Sequence, residues 1–270
     1  VVFTGAVGMA LAPGALHPVL ALVAILCIAV GAGAAGAINM WYDRDIDALM
    51  SRTKNRPIPA GRVAPSTALG FGVTLAVASV AIMALAVNGM AAGLLAFTIF
   101  FYIVIYSMGL KRRTPQNIVI GGAAGAFPPM IGWAAVSGDI TLASTVLFAI
   151  IFLWTPPHFW ALALYKRSDY DKAGVPMLPV VAGRKTTAWQ MLAYTVALLP
   201  VTLLPCVIGL SGMVYGAGAS ALGLLFLACA INVVRDQSER SARRMFPFSI
   251  LYLFLIFVLL LVDQSLWIAF

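Results

Sequence analysis

The sequence predicts an all-α, polytopic membrane protein, and three observations support this fold class. Hydrophobic residues make up 62% of the 270 residues and charged residues only 10%, whereas soluble domains carry roughly a quarter charged residues. Apolar runs of about 20 residues, long enough to cross the hydrocarbon core, recur along the chain. They lie near residues 18–38, 67–87, 91–109, 117–136, 140–163, 187–208, 213–233 and 246–267. Almost all charged residues fall between these runs.

A shorter apolar run, Val1 to Leu11, precedes the first full one and ends before Pro13 and Gly14. It begins without a charged flank, and we interpret it as the end of a helix whose start is missing. A signal peptide is the alternative, but the run has neither a basic segment nor a small-residue cleavage site. We therefore expect nine transmembrane helices, the first truncated, in one domain over residues 1–270.

The distribution of positive charge predicts the topology. All 17 lysine and arginine residues lie in four segments, 44–62, 111–113, 166–185 and 235–244. These segments alternate with connections that carry no positive charge, so they share one side of the membrane. Short cytoplasmic loops are rich in Lys and Arg, which predicts that these loops lie inside. We expect the membrane to be a bacterial cytoplasmic (inner) membrane. The net charge of +8 therefore requires no nucleic acid partner.

Three oxygen-bearing side chains, Asn39, Asp43 and Asp47, follow one another at four-residue spacing where the second helix ends. This spacing places them on one helical face. Such convergence at a membrane boundary is costly unless the residues bind something, and Mg²⁺ prefers one or two carboxylates together with substrate phosphates. A solvated, acidic helix end is the alternative. We predict a Mg²⁺ site.

A second polar cluster follows the sixth helix. His158, Leu162, Tyr165 and Asp169 recur at spacings that share one helical face. The preceding segment Thr155-Pro-Pro157 predicts a kink or a local opening of the helix. An intramembrane histidine is often only a helix–helix hydrogen bond, so His158 has a structural alternative.

The two clusters align when the sequence is shifted by 122 residues. The aligned pairs include Asp43 with Tyr165, Asp47 with Asp169, and Gly61 with Gly183. The shift spans four helices, so both segments face the same side. This pattern predicts an internal parallel repeat whose acidic helix ends meet across one cavity.

Basic residues beside these clusters could bind a diphosphate, whose departure requires neutralisation of its charge. Guanidinium groups suit phosphate oxygens because their donors form a planar fork. The candidates are Arg52, Lys54, Arg56, Lys111 and Arg112. Topology or contact with lipid headgroups is the alternative for each. Apolar transmembrane walls would suit an isoprenoid tail and exclude water from an allylic cation.

Five segments carry a resemblance to a known family. They are NMWYDRDID from Asn39, RTKNRPIPAG from Arg52, LKRRTPQNI from Leu110, WTPPHFWAL from Trp154 and DYDKAGVPMLP from Asp169. The first resembles the first aspartate motif of the UbiA-type intramembrane prenyltransferases, and the set resembles the branch of that family that farnesylates haem. The family's second aspartate motif is altered here, since Tyr165 takes its first position, and a basic Lys-Pro-Arg segment near the family's first helix does not occur in this sequence.

The resemblance implies nine transmembrane helices around a central cavity open to the cytoplasm, with Mg²⁺ as cofactor and farnesyl diphosphate and haem B as substrates. It implies Asn39, Asp43, Asp47 and Asp169 as metal ligands. Tyr165 and His158 join the aspartates as catalytic residues, His158 as a ligand of haem iron or as a group that orients a propionate or water. Haem A synthase and terminal oxidase assembly proteins are the implied partners.

Two alternative functions remain open at this point. A UbiA-type enzyme could prenylate an aromatic acid or a quinone precursor instead of haem. A membrane transporter with an acidic substrate site is compatible with a repeat and with prolines inside helices. Both acidic clusters lie toward one face of the membrane rather than at its midplane, which favours an enzyme.

Overall fold

A computed structural model describes residues 1–268, and every regular element in that range is helical. The helices are α1 (Val2–Leu11), α2 (Pro18–Tyr42), α3 (Arg44–Leu49), α4 (Pro65–Ala86), α5 (Gly89–Phe100), α6 (Asn117–Ala126), α7 (Pro128–Ser137), α8 (Leu142–Tyr165), α9 (Arg167–Lys172), α10 (Leu178–Val181), α11 (Gly183–Val207), α12 (Met213–Asp236) and α13 (Glu239–Ile268). A π-helical segment, Phe101–Leu110, continues α5. The predicted all-α class is confirmed.

Within the described residues 1–268, eight helical segments are long and apolar enough to cross a membrane. They are Pro18–Tyr42, Pro65–Ala86, Gly89–Leu110, Asn117–Ser137, Leu142–Tyr165, Gly183–Val207, Met213–Asp236 and Glu239–Leu266. Each coincides with a predicted apolar run, and α1 is the additional short apolar helix. Large apolar side chains such as Leu85 and Met213 are 89% and 90% exposed, as expected where a helix faces lipid rather than water.

Packing divides the bundle into two apolar halves. In one half, α8, α11, α12 and α13 surround the buried residues Trp160, Tyr215, Phe226 and Tyr252. In the other half, α2, α4, α5 and α7 surround Ile28, Met83, Leu95 and Ile131. Helix α6 packs against α8 and against the π-helical segment, so it bridges the two halves.

The four basic connections meet at one end of the bundle, which we call the polar end. Side-chain contacts join these connections: Arg112 pairs with Asp45 at 2.7 Å, Ser51 bonds to Asp169, and the Arg243 guanidinium lies 5.2 Å from the Tyr165 ring centre. All 17 lysine and arginine residues lie in these connections or in the adjoining helix turns. At the opposite end, the carboxylate of Asp263 accepts hydrogen bonds from the backbone of Gly212 and Tyr215.

The second helix does not carry its polar cluster without a break. Helix α2 ends at Tyr42, and Asp43 has φ −89° and ψ 9°, so α3 begins with a change of direction at Arg44. The backbone amide of Asp43 still bonds to Asn39, and that of Asp47 to Asp43. The four-residue spacing is therefore preserved locally, although the helix is divided.

The prediction for the sixth helix requires a correction. Helix α8 stops at Tyr165, and Lys166 leaves the helix with φ −111° and ψ 19°, so Asp169 lies on the separate helix α9 instead of on one face with His158. The local opening predicted at Pro156 and Pro157 does not occur, since α8 continues through both prolines; the alternative, a kink there, stays a prediction. Because α6, α11 and α13 pack around α8, the neighbouring helices can hold it in a helical path without those two N–H donors.

Candidate functional site

A cavity of about 440 Å³ extends from the polar end into the bundle. Its polar lining includes Asn39, Asp47, Arg52, Arg56, Lys111 and Tyr170, and the rest of its lining includes Tyr102, Tyr106, Ile151, Trp154, His158 and Phe159. Cations and one carboxylate therefore face aromatic and aliphatic walls within a single cavity. Pockets of this size are typical of sites for small molecules and cofactors.

Asn39 is held in one orientation by two hydrogen bonds. Its amide nitrogen donates to Asp43 Oδ2 at 2.7 Å and to Ser107 Oγ at 2.9 Å. Both amide hydrogens of Asn39 are therefore used, and its carbonyl oxygen remains available as an acceptor. The Asn39 side chain lines the cavity. An amide oxygen is a suitable ligand for a hard cation.

Asp43 is completely buried and does not line the cavity. Its carboxylate is bonded to Lys111 and to Asn39 and lies 3.3 Å from Arg112. This residue therefore holds Asn39 and Lys111 in place from behind the cavity wall. Such a buried charge is stable only with partners of this kind.

Asp47 is the carboxylate that faces the cavity. Its side chain is 2% exposed, and Arg56 Nη1 lies 2.7 Å from its Oδ2 atom. The Thr53 hydroxyl donates to the Asp47 carbonyl at 2.9 Å, which folds the following loop back over α3. This fold brings Arg52 and Arg56 to the cavity, whereas Lys54 is exposed and lies outside it.

Arg112 binds protein carboxylates rather than the cavity. Its two terminal nitrogens each lie 2.7 Å from the carboxylate of Asp45, and its guanidinium lies 5.0 Å from the Tyr42 ring centre. The hydrogen bonds from Arg112 hold the pKa of Asp45 below its usual value, as expected for a two-pronged pair. We assign Arg112 to the attachment of the loop after the π-helical segment.

The second predicted cluster reaches the first without entering the cavity. Asp169 Oδ2 accepts a hydrogen bond from the Ser51 hydroxyl, four residues beyond Asp47, and Tyr165 packs against Arg243 and Phe246. Neither Asp169 nor Tyr165 lines the cavity. Within residues 1–268, no three His, Cys, Asp or Glu side chains gather as a ready-made metal site.

His158 lines the cavity on the α8 side. Its ring is stacked between Trp154, at 4.2 Å and 15°, and Phe246, at 4.8 Å and 19°. Its Nδ1 atom lies 2.7 Å from Ser249 Oγ on α13. The stacking therefore fixes the plane of the imidazole ring, and the contact with Ser249 fixes the rotation of the ring within that plane.

The sequence reasoning missed the residues that the π-helical segment contributes. Bonds from residue i to i+5, such as that from the Lys111 amide to the Tyr106 carbonyl at 2.8 Å, widen each turn by about one residue. Tyr102, Tyr106 and Lys111 therefore all reach the cavity, and Ser107 meets Asn39. We find no sequence signal for this segment, because its apolar composition also fits an ordinary transmembrane helix.

Tyr170, on α9, was also missed. It lines the cavity beside Arg52. Burial raises the pKa of the Tyr170 phenol, and the nearby Arg52 guanidinium opposes this shift. The phenol stays neutral and can donate a hydrogen bond to an anionic ligand.

A second, apolar space of about 240 Å³, which we call the side pocket, adjoins the cavity. It lies between α2, α5, α6 and α7 and is lined mainly by Ile28, Gly31, Ala35, Leu95, Ile99 and Ile131. Tyr102 and Gly125 line both spaces. An elongated ligand with one polar and one apolar end could occupy the cavity and the side pocket together.

The geometry of a cation-lined cavity beside an apolar pocket agrees with the family that the chain matches. The profile of the UbiA prenyltransferase family matches residues 1–261. The chain belongs to this family. The match covers all of the helices that build the UbiA cavity described above, apart from the last turns of α13.

Two proteins with sequences similar to this chain carry the same name. A protein named protoheme IX farnesyltransferase from Parvibaculum lavamentivorans is 62% identical over 98% of this UbiA chain and 85% of its own length. A second of the same name, from Rhizobium johnstonii, is 61% identical over 98% of this chain and 85% of its own length.

Solved structures share the UbiA fold at low sequence identity. A digeranylgeranylglyceryl phosphate synthase structure superimposes with a TM-score of 0.82 and 17% identity, over 97% of this chain and 92% of that one. A UbiA homologue from Archaeoglobus fulgidus, bound to DMAPP and Mg²⁺, gives a TM-score of 0.68 and 17% identity over 97% and 94% of the two chains. At 17% sequence identity, this structural similarity establishes the shared fold alone.

Proposed function

We propose that this UbiA protein transfers the farnesyl group of farnesyl diphosphate to a vinyl group of haem B, in a Mg²⁺-dependent reaction that gives haem O. Relatives at 62% and 61% identity over nearly the whole chain carry the corresponding name. The observation that carries the proposal is the cation-lined cavity at the polar end, which shares lining residues with an adjoining apolar side pocket. These two spaces match the two ends of a prenyl diphosphate.

The oxygen ligands in the cavity fit a magnesium ion. The Asn39 carbonyl and the Asp47 carboxylate line the same space, and Mg²⁺ uses one or two carboxylates together with substrate phosphates and water. The A. fulgidus homologue bound to DMAPP and Mg²⁺ supports this assignment. We propose Asn39 and Asp47 as direct ligands, with Asp43 orienting Asn39. Asp169 does not line the cavity, so we leave it out of the direct ligands. Bound Mg²⁺ would neutralise the diphosphate as its bond to carbon breaks.

The basic residues of the cavity would bind the remaining phosphate oxygens. Arg52, Arg56 and Lys111 line the same end as Asp47, and guanidinium groups match phosphate oxygens in a planar arrangement. The Tyr170 phenol adds a neutral donor there. These residues bind the leaving group in the orientation that points the prenyl chain toward the side pocket.

The apolar walls would protect the reacting carbon from water. When the carbon–oxygen bond breaks, diphosphate takes the electron pair and an allylic cation remains, which the aromatic faces of Tyr102, Tyr106 and Trp154 can stabilise. The π electrons of a haem vinyl group form the new carbon–carbon bond. Water then adds to the resulting cation and loses a proton, which leaves a hydroxyethylfarnesyl substituent. The balance is farnesyl diphosphate, haem B and water giving haem O and diphosphate.

We infer a location in the bacterial cytoplasmic membrane, and the distribution of charge supports an orientation with the cavity facing the cytoplasm. All 17 lysine and arginine residues lie at the polar end, and positively charged short loops remain on the cytoplasmic side. A haem with a farnesyl tail is retained in the bilayer, so we propose that haem A synthase or terminal oxidase assembly proteins receive it there.

Mass spectrometry of haem tests the proposal directly. The full chain in lipid nanodiscs, incubated with farnesyl diphosphate, haem B and Mg²⁺, should convert haem to a species heavier by one farnesyl group and one hydroxyl group. Parallel samples contain 4-hydroxybenzoate instead of haem. Prenylated hydroxybenzoate with unchanged haem would contradict the acceptor assignment, and absence of diphosphate release with either acceptor would contradict the enzyme assignment.

A further inference from the structure

The hydrogen-bond pattern around His158 determines which of its ring nitrogens carries hydrogen. The Ser249 hydroxyl lies 2.6 Å from the Phe246 carbonyl oxygen, which can only accept, so the single hydroxyl hydrogen is donated there. Ser249 Oγ must then accept a hydrogen bond from His158 Nδ1, 2.7 Å away. In a neutral imidazole the other nitrogen, Nε2, therefore has a free lone pair.

The surroundings of the ring direct that lone pair to the cavity. Trp154 and Phe246 cover the two faces of the imidazole, and Trp154 is itself fixed because its indole nitrogen donates to the Ser249 carbonyl at 2.8 Å. Among the described residues, Nε2 has no hydrogen-bond partner and is not enclosed by protein, and His158 lines the cavity. A neutral imidazole with one nitrogen held and the other open is the usual form of a metal-binding histidine.

We propose that His158 Nε2 binds the iron of haem as an axial ligand, and that Ser249 is the positioning residue that keeps His158 in this tautomer. The inference rests on the proposed function, in which haem is the acceptor, and assigns the contact that fixes the macrocycle in the cavity. Iron held on the α8 side would place the porphyrin edge within the space that Asn39, Asp47 and Lys111 also line. Binding of the iron would thus hold the macrocycle in the same cavity as the prenyl diphosphate.

The chain offers a matched control, because it contains only two histidines. His17 is exposed at the opposite end of the bundle, where its ring nitrogen caps α2 by accepting from Val19. Ferric haem B is titrated into the full chain in nanodiscs without any prenyl diphosphate, and absorption and electron paramagnetic resonance spectra are recorded. The wild type and His17→Ala should give the spectrum of imidazole-ligated iron. His158→Ala should lose it, and added free imidazole should restore it.

A second pair of variants separates positioning from folding. Ser249→Ala should weaken ferric haem binding by about 10-fold or more, the usual effect of removing the partner of a metal-binding histidine, whereas Ser249→Thr keeps the hydroxyl and should retain it. Ser265, also on α13, makes the same bond to its own helix, at 2.7 Å to the Val262 carbonyl, without contact to a histidine. Ser265→Ala should bind haem as the wild type does.

The outcomes distinguish this inference from the proposed function. An unchanged imidazole-type spectrum in His158→Ala, or a wild-type spectrum without histidine ligation, overturns the iron contact even if mass spectrometry detects farnesylated haem. Equal haem affinity of Ser249→Ala and Ser265→Ala overturns the positioning role. Wild-type protein that ligates haem through His158 but never farnesylates it would support the contact and contradict the proposed reaction instead.

Discussion

Arg56 Nη1 lies 2.7 Å from Asp47 Oδ2, so the carboxylate that faces the cavity is already paired with a cation. Asp47 is almost completely buried, whereas the Arg56 side chain is 32% exposed. The arginine can therefore move toward a diphosphate while Asp47 stays in place. Substrate binding would exchange an ion pair within the protein for contacts of Arg56 with phosphate and of Asp47 with Mg²⁺.

Asp47→Asn should lower diphosphate release by about 100-fold or more, because bound metal ions supply several kcal/mol of charge stabilisation in such reactions. The measurement is diphosphate release as a function of Mg²⁺ concentration, with circular dichroism to show that the helices remain. Asp171→Asn is the control, since Asp171 is exposed on α9 and does not line the cavity. Equal activity of the two variants would refute the metal assignment.

Lys111→Gln should raise the KM for farnesyl diphosphate about 10-fold, the effect expected for losing one hydrogen bond to a charged group. Lys111 lines the cavity and also bonds to Asp43, so a modest loss of thermal stability should accompany the change. Arg113→Gln removes the same charge from the same loop at an exposed position outside the cavity. If both variants raise the KM equally, Lys111 acts only through the positive charge that it adds to the loop and does not contact the diphosphate.

Hydropathy and spacing predicted much of this molecule. The eight apolar runs coincide with the eight long helices because each must satisfy its backbone inside a bilayer. The four-residue spacing of Asn39, Asp43 and Asp47 predicted their proximity, and the structure separates their positions, with Asp43 behind the wall. Gly61 and Gly183, paired by the 122-residue shift, both have positive φ, 71° and 77°. This agreement supports the proposed internal repeat.

Other features depend on contacts that a single sequence does not reveal. The end of α8 at Tyr165 is followed by α9, whose position depends on the bond between Asp169 and Ser51, 118 residues apart. The partner of His158 is 91 residues away, on α13. The sequence of the π-helical segment has no distinctive periodicity. The wider helical turn that brings Lys111 to the cavity could therefore not be predicted.

Gly125→Leu should raise the KM for farnesyl diphosphate about 10-fold, with little change in the inhibition constant of dimethylallyl diphosphate. A Cβ at Gly125 would meet no atom within 4 Å, so a leucine folds into the space where the cavity joins the side pocket. Displacing about two CH₂ groups of the prenyl chain costs about 1.6 kcal/mol.

The control for this prediction is Gly33→Leu. A Cβ at Gly33 would likewise meet no atom within 4 Å, but Gly33 is exposed on α2 and lines neither the cavity nor the side pocket. The KM of this variant for farnesyl diphosphate should be unchanged. If Gly125→Leu weakens both diphosphates equally, the prenyl tail does not enter the side pocket.

Gly132→Ala should lower the thermal unfolding midpoint, because α1 and α7 approach each other through glycines. A Cβ at Gly132 would lie 1.9 Å from the Gly5 carbonyl oxygen, and one at Gly8 would lie 2.0 Å from that of Pro129. These are backbone atoms, so the helices must separate, at a cost of about 1–3 kcal/mol. Gly93→Ala on α5 meets no atom within 4 Å and should instead stabilise its helix by up to about 1 kcal/mol. Opposite shifts of the two midpoints are expected in the same detergent, and a raised midpoint for both variants would show that α1 does not pack closely against α7.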